Sequence, residues 1–199
     1  MISGSSLQED IGLGGKNEEI AFLFSDVRGF TAMSEKKTPA QVVEILNHYL
    51  DLQSLIIKEN GGDIDKYVGD EVMAVFHGEN KRYHAVKSAV EIIERIKGDN
   101  AERMKRGEDT VNVGVGLNVG EVIVGSMGSR FRMDYTCIGD SVNLAARLCS
   151  AAEPGGILAS HEMLSEPEVL QDFHTEELPP IKVKGKEKPI PIYRISKKP

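Results

Sequence analysis

Two aspartates, Asp26 and Asp70, lie far apart in the chain, yet each sits at the edge of an apolar run. Asp26 follows Ala21-Phe22-Leu23-Phe24, whose apolar, aromatic-weighted composition predicts a buried strand. Asp70 belongs to the Gly-Asp turn between Asp63-Ile64-Asp65-Lys66-Tyr67-Val68 and Glu71-Val72-Met73-Ala74-Val75-Phe76, which predicts a hairpin. Taken singly, either residue is an ordinary turn aspartate. In a strand–helix–hairpin unit the first strand lies beside the hairpin, so the two carboxylates converge. Paired carboxylates are hard oxygen ligands for Mg²⁺ or Mn²⁺, which keep water and substrate phosphates as their remaining ligands. The segment Val27-Arg28-Gly29-Phe30-Thr31 follows Asp26 directly. Its glycine permits close approach of the backbone, and free N–H groups there can cradle phosphate oxygens. Together these residues predict a site for a triphosphate and metal.

A second constellation lies in Ser141-Val142-Asn143-Leu144-Ala145-Ala146-Arg147-Leu148. Asn143 and Arg147 are one helical turn apart and share a face. Arginine stabilises charge on a transferring phosphoryl group, and asparagine orients a hydroxyl or sugar oxygen. The alternative is a buried pair satisfied by backbone or carboxylates. Ile181-Lys182-Val183-Lys184-Gly185-Lys186 is a basic loop in an acidic chain: solvated surface, or a source of a lysine for a triphosphate. The five histidines have no ligand spacing, and the methionines read as core and surface filler.

These residues need elements to hold them. Residues 1–17 are polar and rich in Gly and Ser, which predicts a flexible leader with order beginning near Glu18. Thr38-Pro39-Ala40-Gln41 carries a capping-box signature with proline at the first helical position. Val42, Ile45, Leu46, Tyr49, Leu50 and Ile56 continue it at helical spacing up to Asn60-Gly61-Gly62. A second helix is expected over about residues 81–106. Val111 to Val124 reads as two strands bent at Asn118-Val119-Gly120. A short strand or arm follows over 132–136, then a third helix over about 141–152, closed by Pro154-Gly155-Gly156. The tail offers strand candidates at 181–183 and 190–195. This order predicts an α+β fold: a ferredoxin-like βαββαβ core with additional C-terminal strands and helices on one face of a mainly antiparallel sheet.

At 199 residues the chain fits one domain, and its composition is ordinary for a globular protein. A net charge of −7 argues against nucleic acid as a partner. Cys137 and Cys149 have neither metal-ligand nor disulfide-framework spacing, which suits a cytoplasmic location. No apolar run reaches the length of a membrane span and the N-terminus does not read as a signal peptide, so any membrane-contacting part is expected outside this chain. The Gly/Ser-rich leader suggests a sensor or membrane module upstream.

The motifs FSDVRGFT, DKYVGDEVMAVF, YTCIGDSVNLAARL and VKGK, in this order and spacing, resemble the catalytic domain of class III nucleotidyl cyclases. The resemblance runs from about Glu18 to Ile195 and identifies residues 18–199 as that domain. It implies a head-to-tail homodimer with active sites built across the interface. Asp26 and Asp70 match the metal-binding aspartates, with the Val27 carbonyl as a further ligand and two Mg²⁺ or Mn²⁺ ions per site. Gly29, Phe30 and Thr31 fall at the phosphate loop. Asn143 and Arg147 match the pair that positions the ribose and stabilises the transition state, supplied by the other protomer. Lys184 matches a lysine reaching the triphosphate, and Arg130 or Arg132 a further phosphate contact. Lys66 matches the lysine that adenylyl cyclases set against adenine N1. Its partner position is Thr136, where many relatives carry aspartate. Threonine there resembles the subgroup of bicarbonate-responsive soluble and cyanobacterial-type cyclases. The implied reaction is conversion of ATP to 3′,5′-cyclic AMP and pyrophosphate in signal transduction. The alternatives are a guanylyl cyclase and a silent nucleotide-binding regulatory domain. A dinucleotide cyclase should carry a different hairpin tip.

Overall fold

In the first strand, β1 (Lys16–Arg28), every residue from Ile20 to Ser25 is buried. Its side chains alternate between two cores: Ala21, Leu23 and Val27 enter one, and Ile20, Phe22 and Phe24 enter the other. That double burial is why the sequence shows a continuous apolar run instead of strand alternation. The computed structural model describes residues 15–199. The greater part of the expected leader therefore lies outside the described residues. Lys16 and Asn17, which composition assigned to the leader, instead open β1 and pair with Val124 and Ile123.

After β1 come a short helix α1 (Phe30–Glu35) and the long helix α2 (Pro39–Glu59). The capping box is formed: the Thr38 side chain accepts from the Gln41 N–H at 3.3 Å, and Gln41 Oε1 accepts from the Thr38 N–H at 3.0 Å. The hairpin β2 (Asp63–Val68) and β3 (Glu71–Phe76) follows, then α3 (Lys81–Lys105). Helices α2 and α3 cover the core that holds Ala21 and Leu23. The remaining elements are β4 (Asn112–Ser129), β5 (Arg132–Ile138), α4 (Asp140–Ala151), β6 (Ile157–Ser160), α5 (Pro167–Asp172), β7 (Phe173–Ile181) and β8 (Ile190–Lys197). The sheet order is β2-β3-β1-β4-β6-β8-β7, with β5 paired to β4. All pairings are antiparallel except β4 with β6. The α+β class with a mainly antiparallel sheet stands.

Four details depart from the sequence expectation. The stretch expected as two bent strands is the single strand β4, which pairs with β1 continuously from Val124 to Asn112. Gly116 and Gly120 do not bend it; they clear space for α4. A Cβ on Gly116 would run into backbone atoms of Ala145 and Cys149, and one on Gly120 into the Ser141 side chain. Helix α4 accordingly packs on the opposite face from α2 and α3, with Ala145 and Cys149 against Phe22 and Phe24. The helices thus occupy both faces. Strand β6 has no counterpart among the sequence expectations, and the strand expected to begin at Ile181 instead ends there.

The close approach at Gly116 has a measurable consequence. Gly116→Ala should destabilise the fold by about 3 kcal/mol through overpacking against helix backbone that cannot rotate away. A lowered urea midpoint with unchanged slope is the expected signature.

Candidate active site

Asp26 lies at the end of β1, opposite Gly114 of β4. The preceding residue is anchored through the core, where Ser25 Oγ donates to Gln53 of α2 at 2.5 Å. Asp70 occupies the turn between β2 and β3, in which Gly69 takes the left-handed conformation at φ 60°. Because β3 lies directly beside β1, this turn reaches the end of β1. Asp70 Oδ2 accepts from the Val27 N–H at 3.2 Å. The two carboxylates expected to converge do so.

Electrostatics mark this corner. Burial holds the Asp26 carboxyl above its usual range; the Arg28 guanidinium pulls it down and the Asp70 charge pushes it up again. Burial likewise raises Glu71, helped by Asp26 and Asp70. Arg28 forms an ion pair with Asp26 and donates to the carbonyls of Cys149 and Ala152 at the end of α4. A half-buried anionic corner already drawing in a cation fits a divalent ion well. Among the described residues, no group of three or more His, Cys, Asp or Glu is arranged to hold an ion. Asp26 and Asp70 bring two carboxylates to this corner, a hard-oxygen pair of the kind that suits an ion keeping phosphate and water ligands.

Gly29 sits just beyond Arg28 at φ 75°, a left-handed position that favours glycine. It caps α1, and its carbonyl accepts from the Met33 N–H at 3.1 Å. Phe30 and Thr31 stand in the first turn, where helix N–H groups lack intrahelical acceptors.

A second group forms elsewhere. Lys66 Nζ donates to Thr136 Oγ1 at 3.3 Å, joining β2 to β5 across the molecule. Thr136 is buried, and the hydroxyl, not the neighbouring Cys137 thiol, receives the lysine. Burial, with the Asp65 charge adding to it, pushes the Cys137 thiol up to about 11.

Asn143 and Arg147 project from the exposed face of α4, opposite its buried Ala145, Leu148 and Cys149. The alternative of a buried, satisfied pair is therefore incorrect. Within the described residues, no hydrogen bond or ion pair joins either residue to Asp26 or Asp70. Lys184 is exposed in the β7–β8 loop. Lys186 Nζ lies 3.8 Å from Asp140 Oδ2, which brings this loop to the start of α4, the end that bears Asn143. Arg130 and Arg132 sit at the β4–β5 tip, the first over the Phe131 ring at 4.8 Å and the second 3.4 Å from Asp134. A single chain thus shows three groups: Asp26, Asp70 and the Gly29 loop at the end of β1, Lys66 with Thr136 between β2 and β5, and Asn143 and Arg147 exposed on α4, whose start meets the basic loop. Sequence reasoning gave no role to Arg28 or Asp65.

The chain matches the model of the adenylate and guanylate cyclase catalytic domain over residues 15–197. It belongs to that family. This cyclase domain is 34% identical over 195 residues to an adenylate cyclase of Anabaena cylindrica, covering 94% of this chain and 39% of the relative. It is 30% identical to adenylate cyclase 1 of Rhizobium meliloti, covering 89% of this chain and 27% of that protein. The chain therefore spans less than half the length of either relative. Among solved structures it is similar to the adenylyl cyclase CyaB from P. aeruginosa, with a TM-score of 0.84, 35% identity, and coverage of 92% of this chain and 96% of that one. It is also similar to the guanylyl cyclase Cya2, with a TM-score of 0.81, 31% identity, and coverage of 92% and 94%. Cyclase domains of this family use divalent metal ions. Among the described residues, no helix is long and apolar enough to cross a membrane.

Proposed function

We propose that this cyclase domain converts ATP to 3′,5′-cyclic AMP and pyrophosphate, in a homodimer whose two sites each draw residues from both protomers. The observation that carries the choice of base is the Lys66–Thr136 contact at 3.3 Å. A lysine ammonium only donates, so it suits the N1 acceptor of adenine and opposes the N1–H of guanine. The Thr136 hydroxyl can accept from the adenine amino group.

Asp26 and Asp70, with the Val27 carbonyl, would hold two Mg²⁺ or Mn²⁺ ions. Bound there, the ions would lower the pKa of the ribose 3′-hydroxyl and neutralise triphosphate charge. The 3′-hydroxyl oxygen attacks the α-phosphorus as its proton passes to solvent water, the bond from the α-phosphorus to the oxygen bridging the β-phosphate breaks, and pyrophosphate leaves with that oxygen. Gly29, Phe30 and Thr31 receive phosphate oxygens on backbone N–H groups. Asn143 of the other protomer orients the ribose, and its Arg147 meets the charge developing at the α-phosphate. Lys184 and Arg130 or Arg132 contact the remaining phosphates. The exposure of Asn143 and Arg147, neither of which bonds to its own chain's Asp26 or Asp70 among the described residues, supports shared sites. The free thiols support a cytoplasmic setting, and in signal transduction a sensor or membrane module upstream of this domain would supply the signal it answers.

A guanylyl cyclase is the second reading, favoured by the likeness to Cya2 and by the ability of the Thr136 hydroxyl to donate to guanine O6. Product formed from ATP and from GTP, with Mg²⁺ and with Mn²⁺, separates the two. Cyclic AMP should exceed cyclic GMP by roughly tenfold or more, the scale of one unsatisfied buried donor. Mainly cyclic GMP would overturn the base assignment. No product from a protein shown to dimerise would favour a silent regulatory domain.

A further inference from the structure

The strand β2 contains one irregularity, and it falls beside the lysine of the base-reading pair. Ile64 is opposite Ala74 and Lys66 is opposite Met73, so Asp65 is an extra residue on β2 with no partner on β3. A bulge of this kind resets strand alternation and re-aims a side chain. Here it leaves consecutive acidic and basic side chains together: Asp65 Oδ2 lies 3.5 Å from Lys66 Nζ. The Asp65 side chain is only 13% exposed, and Oδ2 is a buried oxygen without a hydrogen-bond partner. An unpartnered buried carboxylate oxygen is costly unless a cation offsets it. The ammonium of Lys66 is the cation beside it. Lys66 in turn donates one N–H to Thr136, a neutral hydroxyl that brings no negative charge of its own.

We propose that Asp65 is the positioning residue for Lys66: it supplies the negative charge that Thr136 lacks and fixes the ammonium as a donor aimed at the purine N1. Its buried oxygen does not meet the nucleotide; Asp65 acts only through Lys66. This proposal rests on the assignment of Lys66 as the base-reading lysine.

The test compares ATP with 1-deaza-ATP, which keeps the exocyclic amine and lacks the N1 acceptor. KM and kcat, and equilibrium affinity by competition with a fluorescent nucleotide, are measured for each. The proteins are the unaltered chain, Asp65→Asn, Asp65→Ala, Lys66→Ala and the double variant Asp65→Asn/Lys66→Ala. Both nucleotides are measured on one sample, so the ratio does not depend on the fraction folded. The unaltered chain should prefer ATP, mainly through KM and affinity. Asp65→Asn and Asp65→Ala should reduce that preference by roughly tenfold, the scale of a charge-assisted hydrogen bond. The double variant should be no worse than Lys66→Ala, because the two residues act as one unit. An intact preference in both Asp65 variants, or additive losses in the double variant, overturns the role of Asp65 alone. No preference for ATP in the unaltered chain overturns the assignment of Lys66, and the role of Asp65 with it.

Discussion

Asp70→Asn should lower cyclic-nucleotide formation by roughly a thousandfold, the equivalent of several kcal/mol of lost charge stabilisation. The change keeps the side chain's size and an oxygen able to accept from the Val27 N–H, now 3.2 Å away. The hairpin should therefore keep its place, and circular dichroism should be unchanged. What is lost is one of two negative charges at a corner whose electrostatics already oppose them. Asp26→Asn should be as damaging to activity, yet it should not weaken the fold. The Asp26 carboxyl is raised by burial, with Asp70 adding to the shift and Arg28 countering it. A raised folded-state value means that the contribution to stability is present at low pH. It is lost as pH rises through that value. At neutral pH the folded chain therefore carries a charge that the unfolded chain solvates more cheaply, and the amide removes that cost. The thermal midpoint of Asp26→Asn should match or exceed that of the unaltered chain. Mn²⁺ should raise the midpoint of the unaltered chain and leave the variant unmoved. A destabilised Asp26→Asn protein would mean that the pair with Arg28 outweighs burial.

The same corner shows what was legible in the sequence. Asp26 and Asp70 were readable because each closes a strong local signal, an apolar strand and a glycine turn, and simple strand adjacency brings them together. Arg28 was not, because its partners at Cys149 and Ala152 are distant in sequence and its neighbour Asp26 was already assigned to metal. Asp65 was hidden by strand alternation, which places neighbours on opposite faces; only the bulge sets it beside Lys66. The fold errors have equally specific causes. Gly120 reads as a bend, whereas its missing side chain makes room for Ser141 of α4. Strand β6 is only Ile157–Ser160, too short for a period to show. Strand β7 contains Pro179 and Pro180, which argue against a strand but are tolerated because β7 is at the sheet edge. Helix α2 and the β2–β3 hairpin were readable because capping and turn chemistry are local.

The exposed face of α4 leads to the second large effect. Asn143 and Arg147 have the residue types of a transition-state pair, but they stand on solvent-facing helix while the carboxylates lie at the end of β1. In a head-to-tail dimer, one protomer's pair would face its partner's carboxylates, and each site would need one element from each chain. Asp26→Asn and Arg147→Ala should each be nearly inactive alone. When mixed as equal amounts and allowed to exchange, they should recover activity. In a heterodimer one of the two sites collects both substitutions, and the other collects neither. Random pairing makes half of the dimers heterodimers, each with one of two sites intact, so recovery should approach about a quarter of the unaltered activity. Two variants of the same half-site, Asp26→Asn with Asp70→Asn, should recover nothing, because every site then keeps a damaged carboxylate pair. Recovery in the first mixture and none in the second would locate the two halves on different chains. Silence in both, with heterodimers demonstrated by differential tagging, would mean that each chain completes its own site and that α4 must move to bring Arg147 to Asp26.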